Sequence, residues 1–215
     1  MNLEEYRKQF EEEDPVGWDC IDTELAKIYS EQEPSHFIPA PHFIAGGEAP
    51  LDGISVYKSD KQTKHLHFVT YGFSELYYNE ESVGEEFSLY GFELTFRLKV
   101  ENENEEVNWV YTLLQNLARY VFSSGKWFDK FHLIPISGSI RSGLDTEIAA
   151  LAFVPDPELG EIETPHGKVM FLQMVALTAA EYEELKKDPI NRTEKFIEKR
   201  KHSNELLITD LKQMS

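Results

Sequence analysis

The chain predicts an α+β fold: one domain with a central, mainly antiparallel sheet and helices packed around it. Three observations carry that reading. Residues 91–99 alternate strictly, with Phe92, Leu94, Phe96 and Leu98 on one side and Glu93, Thr95, Arg97 and Lys99 on the other. That is the period of a strand with one buried face. The period then changes, and Val110, Leu113, Leu114, Leu117 and Val121 fall on one side of a helix. Finally, strand patterns come in runs instead of alternating regularly with helices, which favours α+β over a parallel α/β sheet.

In chain order, residues 1–17 are charged and read as an N-terminal arm or short helix ending near Pro15. Residues 18–188 form the main domain. It opens with a helix over Trp18 to Tyr29, whose Trp18, Ile21, Leu25 and Ile28 share a face. Pro34, Pro39 and Pro41 then break regular structure. Gly46-Gly47 and Pro50-Leu51-Asp52-Gly53 are turn signals, and Ile54 to Lys58 and Leu66 to Tyr71 read as adjacent strands. Gly91 to Val100 is the clearest strand. The next helix runs from an N-cap at Asn108 to about Phe122, with Gly125 as its stop. Phe131 to Ile136, Glu147 to Val154 and Lys168 to Leu177 are further strands, the last entered through a hairpin turn at Thr164-Pro165-His166-Gly167. Thr178-Ala179-Ala180-Glu181 matches a capping box and starts a helix to about Lys187. Residues 189–215 add a helix over Asn191 to Arg200 and a short strand at Leu206-Leu207-Ile208, in the same domain.

A hydrophobic content of 41% with 13% aromatics suffices for a folded core over 215 residues. No apolar run approaches the roughly 20 residues of a membrane helix. The opening residues Met1-Asn2-Leu3-Glu4-Glu5-Tyr6 lack the pattern of a signal peptide, and the lone Cys20 excludes an intramolecular disulfide. The expected compartment is the cytoplasm. The net charge is −18, from 39 acidic and 21 basic residues. That sign repels nucleic acid and anionic membranes, favours basic partners and also serves solubility. Acids cluster at residues 11–14, 80–81, 85–86 and 101–106, where Glu103, Glu105 and Glu106 project from an expected loop.

Candidate chemistry is sparse. His65 and His67 are two apart on a strand and share a side, so they could supply two metal ligands, with Asp52 or His42 as a third. A metal-assisted hydrolase using that pair is the alternative reading. Structural histidines explain the same spacing, and no metal or cofactor is expected. Ser55-Val56-Tyr57-Lys58 matches a Ser-x-x-Lys string, but on a strand its serine and lysine point apart. Cys20 sits beside acids that raise a thiol pKa. Phosphate-loop, dinucleotide, zinc-protease and nucleophile-elbow motifs do not occur. Gln115, Asn116 and Arg119 lie on the face of the helix opposite Leu114 and Leu117 and read as solvent-exposed. Tyr120, Phe122, Trp127 and Phe128 cluster near its end, as core residues or as an exposed ridge suited to a peptide.

Several ordered blocks resemble the Suppressor of fused family. They are Trp18 to Asp22, Pro50 to Ser55, His65 to Leu76, Gly91 to Leu98, Leu114 to Phe122, Asp156 to Leu159, and Thr164 to Gly167 continuing through Gln173. The resemblance implies a non-enzymatic, protein-binding domain with an α+β fold, similar to the N-terminal domain of the two-domain animal proteins. Those proteins grip an extended peptide near the end of the long helix. Tyr120 and Phe128 match aromatic positions of that region, Trp127 stands beside them, and His132 replaces an acid. Bacterial single-domain relatives look like immunity proteins. The expected partner is thus a basic protein, a toxin or a peptide segment, held by Tyr120, Trp127, Phe128 and His132 with Glu103, Glu105 and Glu106.

Overall fold

A computed structural model of the chain describes residues 1–30, 32–38, 49–102, 105–136, 140 and 146–212. Helices α1 (Leu3–Gln9) and α2 (Val16–Tyr29) precede strands β1 (Ser35–Phe37), β2 (Gly53–Ser59), β3 (His65–Tyr71) and β4 (Phe87–Lys99). Helix α3 (Asn108–Ser124) leads to β5 (Leu133–Pro135), β6 (Ile148–Pro155), β7 (Glu161–Thr164) and β8 (Gly167–Thr178). Helices α4 (Ala179–Leu185) and α5 (Pro189–Lys201) follow. The strands form one sheet in the order β1-β2-β3-β4-β8-β6-β5, with β7 paired to the start of β8. Among the strands described, β4 and β8 pair in parallel and the other strand pairings are antiparallel. The α+β architecture with a mainly antiparallel sheet is therefore observed.

The strand–helix core is also observed. Phe92, Leu94, Phe96 and Leu98 are buried with Val110, Leu114, Leu117 and Val121 of α3, and Leu113 packs at the margin. Gly125 adopts the left-handed conformation (φ 66°) that ends α3, and its N–H donates to the Val121 carbonyl. The start of α3 differs by one residue. Val107 holds the cap position, and Glu106 Oε1 accepts from the Asn108 amide at 2.7 Å. The orphan amide is satisfied by the acid two residues upstream, so Asn108 need not cap.

The expectation of one buried face on β4 is overturned. Glu93, Thr95 and Arg97 have no exposed surface, and only Lys99 remains half-buried. The reason is a second helical layer. Ile21 and Leu25 of α2 pack on Tyr57, Val69, Tyr71 and Phe171, while α4 and α5 bring Leu185 and Ile197 onto Ala150, Val154 and Val175. Helix α2 approaches so closely that a Cβ at Gly17 would collide with the Glu75 carbonyl oxygen. Polar residues under that layer pair largely with one another, although His65 Nε2 and Arg97 Nε have no hydrogen-bond partner among the described residues.

Smaller differences have local causes. Leu206–Ile208 is not a strand. Leu207 is left-handed (φ 53°), the chain makes a single bridge from Thr209 to Leu98, and the Leu206 and Leu207 carbonyls accept from Gln173 Nε2. At the other end of the chain, α1 carries a capping box and buries Tyr6, whose hydroxyl meets His166 Nε2 at 2.8 Å. The hairpin at Thr164–Gly167 forms as expected. So does the capping box at Thr178, which accepts from the Glu181 amide at 3.3 Å while Glu181 accepts from the Thr178 amide at 2.8 Å. Thr178→Ala should cost ~1 kcal/mol, read as a lower urea midpoint with an unchanged slope.

Candidate partner-binding surface

The end of α3 and the turn into β5 build a ridge flanked by two grooves. Trp127 stands on the ridge and is 60% exposed. Phe128 points inward. Its ring stacks on Phe153 at 4.1 Å and faces Tyr120 at 5.9 Å, so a buried ring anchors the exposed one beside it. Tyr120 is 41% exposed. One groove, of about 730 Å³, runs past Tyr120, Trp127, His132 and Ile134 to Tyr182 and Lys186. The other, of about 420 Å³, lies across Trp127 toward Phe87, Leu89 and Met170. Phe87 and Leu89 are each more than half exposed, and Leu89 is held at φ 54°, a conformation L residues rarely adopt. Sequence patterning missed these two because residues 87–89 precede the regular alternation, at a register shift between β4 and β8.

His132 is exposed and closes the turn before β5. Its Nδ1 accepts from the Asp129 amide at 3.2 Å, and its carbonyl accepts from the Phe153 amide at 3.0 Å. Among the described residues strand β5 pairs only with β6, and its Leu133 and Ile134 line the larger groove. The structure thus brings Tyr120, Trp127, Phe128 and His132 together. The acidic loop lies elsewhere. Glu105 and Glu106 precede the first turn of α3, and the 12 helical residues from Asn108 separate them from Tyr120 by roughly 18 Å at 1.5 Å per residue. Glu103 lies outside the described residues.

His65 and His67 do share a face, but both rings are buried and engaged. His65 Nδ1 meets the Thr63 carbonyl at 2.8 Å. His67 Nδ1 meets the Tyr29 hydroxyl at 2.7 Å, and its Nε2 faces Asp156 Oδ2 at 3.3 Å. Burial, reinforced by the neighbouring Arg97, pushes the His67 pKa down to about 4. Asp52 stands at the opposite end of the β2–β3 pair from His65 and hydrogen-bonds Tyr77, while His42 lies outside the described residues. Among the described residues no three His, Cys, Asp or Glu side chains converge on a metal-sized site.

Beneath α2, Arg97, Asp156, Glu158 and Gln173 form a buried ionic cluster with His67. Arg97 donates to Asp156 at 2.5 and 3.1 Å, to Glu158 at 3.0 Å, and to Gln173. Nearby, Glu93 accepts from the Thr70 and Ser74 hydroxyls and from the Gly72 and Ser74 amides at 2.6–3.0 Å. Burial outweighs those donors and pushes its pKa up to about 7. These groups join strands and loops of the core, and all but Glu158, which sits at the margin beside exposed Lys61, are closed to solvent.

Residues 47–212 match the family model described as Suppressor of fused protein (SUFU). The human Suppressor of fused homolog is 33% identical over 176 residues, which is 77% of this chain and 36% of the human protein. The chain belongs to the Suppressor of fused family. It spans about a third of the length of the curated relatives it matches. A chain of the Sufu–Fu complex crystal structure superposes with a TM-score of 0.82 at 28% identity, covering 94% of this chain and 92% of that one. Drosophila Suppressor of Fused superposes with a TM-score of 0.82 at 27% identity, over 94% of this chain and 51% of that one. In this Suppressor of fused member, the two aromatics matched by resemblance have divided roles. Tyr120 reaches solvent, while Phe128, 6% exposed, is buried between it and Phe153. Among the described residues no helix is long and apolar enough to cross a membrane.

Proposed function

We propose that this chain is a non-enzymatic protein-binding domain that captures its partner on the Trp127 ridge and the groove beside β5. The observation that carries the reading is the exposed indole of Trp127 beside an exposed Tyr120 that stacks on the buried Phe128–Phe153 pair. A large aromatic ring on a rigid base, with grooves on both sides, is the arrangement that concentrates binding energy in few residues. The edge of β5 that is unpaired among the described residues suits an extended segment, which can add main-chain hydrogen bonds there. The relative solved as a Sufu–Fu complex supports a protein as the ligand class. A metal-assisted hydrolase is disfavoured, because His65 and His67 are committed to buried partners.

The charge of −18 points to a basic partner, and an immunity protein that occludes a basic toxin is the form of this role that fits best. The acidic loop and the aromatic ridge lie at opposite ends of α3, so they act on separate parts of the partner. Charge sets encounter, and the buried aromatic contact sets lifetime. A photo-crosslinker placed at position 127 should capture the partner, whose binding kinetics are then measured at two salt concentrations. Trp127→Ala should speed dissociation by about 30-fold, the scale of a hot-spot truncation. Glu105→Lys with Glu106→Lys should slow association, as should added salt. A partner whose dissociation ignores Trp127→Ala would exclude the ridge as the contact.

A further inference from the structure

A second face of α3 carries an unused polar site. Asn108, Thr112, Gln115 and Arg119 follow one another one helical turn apart, forming a single stripe. With Phe37 and Tyr111 they line a groove of about 330 Å³, away from the Trp127 ridge. Gln115 read as solvent-exposed from the sequence, yet it is only 6% exposed. Among the described residues neither its amide oxygen nor its amide nitrogen has a hydrogen-bond partner. Buried polar groups are nearly always paired, and an amide left without either partner is unfavourable. Arg119, one turn on, is exposed. Its guanidinium donates only to Asn116 Oδ1, at 2.8 Å, and no carboxylate pairs with it among the described residues, in a chain with 39 acids. Across the groove, Phe37 and Tyr111 stack at 4.6 Å and 19° and form a flat apolar wall.

We propose that this groove binds the carboxyl end of a peptide chain. The match follows from the groups that lack partners. In an extended residue the N–H and the carbonyl oxygen point to the same side, and at a chain end that oxygen belongs to the carboxylate. Both Gln115 polar atoms are closed to solvent in the free protein, so the side chain turns into the groove on binding: the last N–H then donates to Gln115 Oε1, and Gln115 Nε2 donates to one carboxylate oxygen. Arg119 donates to the other oxygen, a charge-assisted bond. An apolar terminal side chain packs on the Phe37–Tyr111 wall. A phosphate polyanion lacks the N–H that Gln115 Oε1 needs. The site is independent of the Trp127 surface.

The test is a titration of the isotope-labelled full chain, watching the Gln115 side-chain amide and Arg119 Nε resonances. The probes are N-acetyl-leucyl-leucine, its C-terminal amide, and acetate. The free-carboxyl peptide should shift both signals saturably, and the amide should bind about tenfold more weakly. Acetate should not saturate them. Arg119→Gln should abolish the preference for the free carboxyl, and Gln115→Met, a near-isosteric change, should lose binding while the spectrum stays folded. Two results overturn the proposal. One is no saturable shift in the wild-type protein at millimolar peptide. The other is equal affinity for the peptide and its amide.

Discussion

Asp156→Ala should remove about 3–5 kcal/mol of stability, the largest effect expected of any single substitution outside the apolar core. Asp156 follows β6, and its side chain has no solvent exposure. Its carboxylate accepts from Thr95 Oγ1 at 2.7 Å, from both Arg97 Nη atoms, and from the Glu158 and Leu159 amides at 2.9 and 3.0 Å. Burial alone would raise its pKa. Arg97 and His67 outweigh that and hold the carboxyl well below 3.8. Removing the carboxylate leaves a guanidinium inside the protein with only Glu158 as a counter-charge, at the margin of the cluster. An uncompensated buried charge is far costlier than the absence of the pair. Arg97→Met combined with Asp156→Leu should therefore be less damaging than the two single changes summed, by about 2 kcal/mol. Part of the loss should persist, because the Glu158 and Leu159 amides still lose their acceptor. Urea unfolding of the four proteins measures this cycle. A loss under about 1 kcal/mol for Asp156→Ala, or strict additivity, would show that the cluster does not act as a unit.

That cluster also marks where sequence reading stopped. Apolar periodicity located β4 and α3 well, because Leu94 and Leu117 leave a signal in the residues beside them. Arg97 left no such signal. An alternating arginine reads as the solvent side of a strand until a second layer covers it. That layer depends on α2 landing on the sheet far from β4 in sequence. Gln115 was misread for the same reason: its place opposite Leu114 and Leu117 suggested solvent, and the covering groove depends on Phe37, nearly 80 residues away. The aromatic ridge was legible as composition, since Tyr120, Trp127 and Phe128 lie close together. Which ring faces out was not, because a loop has no period to orient it. Leu89 and Phe87 were hidden by an irregular register. The ionic partners Asp156 and Glu158 follow a proline-flanked turn signal, which predicts a turn and says nothing of a buried arginine beneath it.

Acidification from pH 7.5 to pH 5 should change the stability of two variants in opposite directions relative to the wild type. His67 is fully buried, and its pKa is lowered to about 4 from 6.5, first by burial and then by Arg97. The folded state refuses a proton that the unfolded state takes below pH 6.5. Its contribution is thus present above pH 6.5 and lost as pH falls toward 4, about 3 kcal/mol in all. Glu93 works the other way. Its pKa is raised from 4.5 to about 7, chiefly by burial. The folded state binds a proton below pH 7 that the unfolded state does not take until about 4.5. Stability from this group therefore grows as pH falls through the same window, by a similar amount. The two terms largely cancel in the wild-type protein, while His65 and His166, both lowered first by burial, add to the His67 side. His67→Phe should remove one arm of that balance, making the change from pH 7.5 to pH 5 more favourable than in the wild type by about 2 kcal/mol. Glu93→Gln should remove the other and make it less favourable by a similar amount. Both substitutions disturb a buried network and lower stability at every pH. The informative quantity is the slope with pH, measured by urea unfolding across the range. If both variants follow the wild-type slope, neither group titrates between pH 5 and 7.5 in the folded state. Glu93 would then be held ionised by its four donors, with burial the weaker influence.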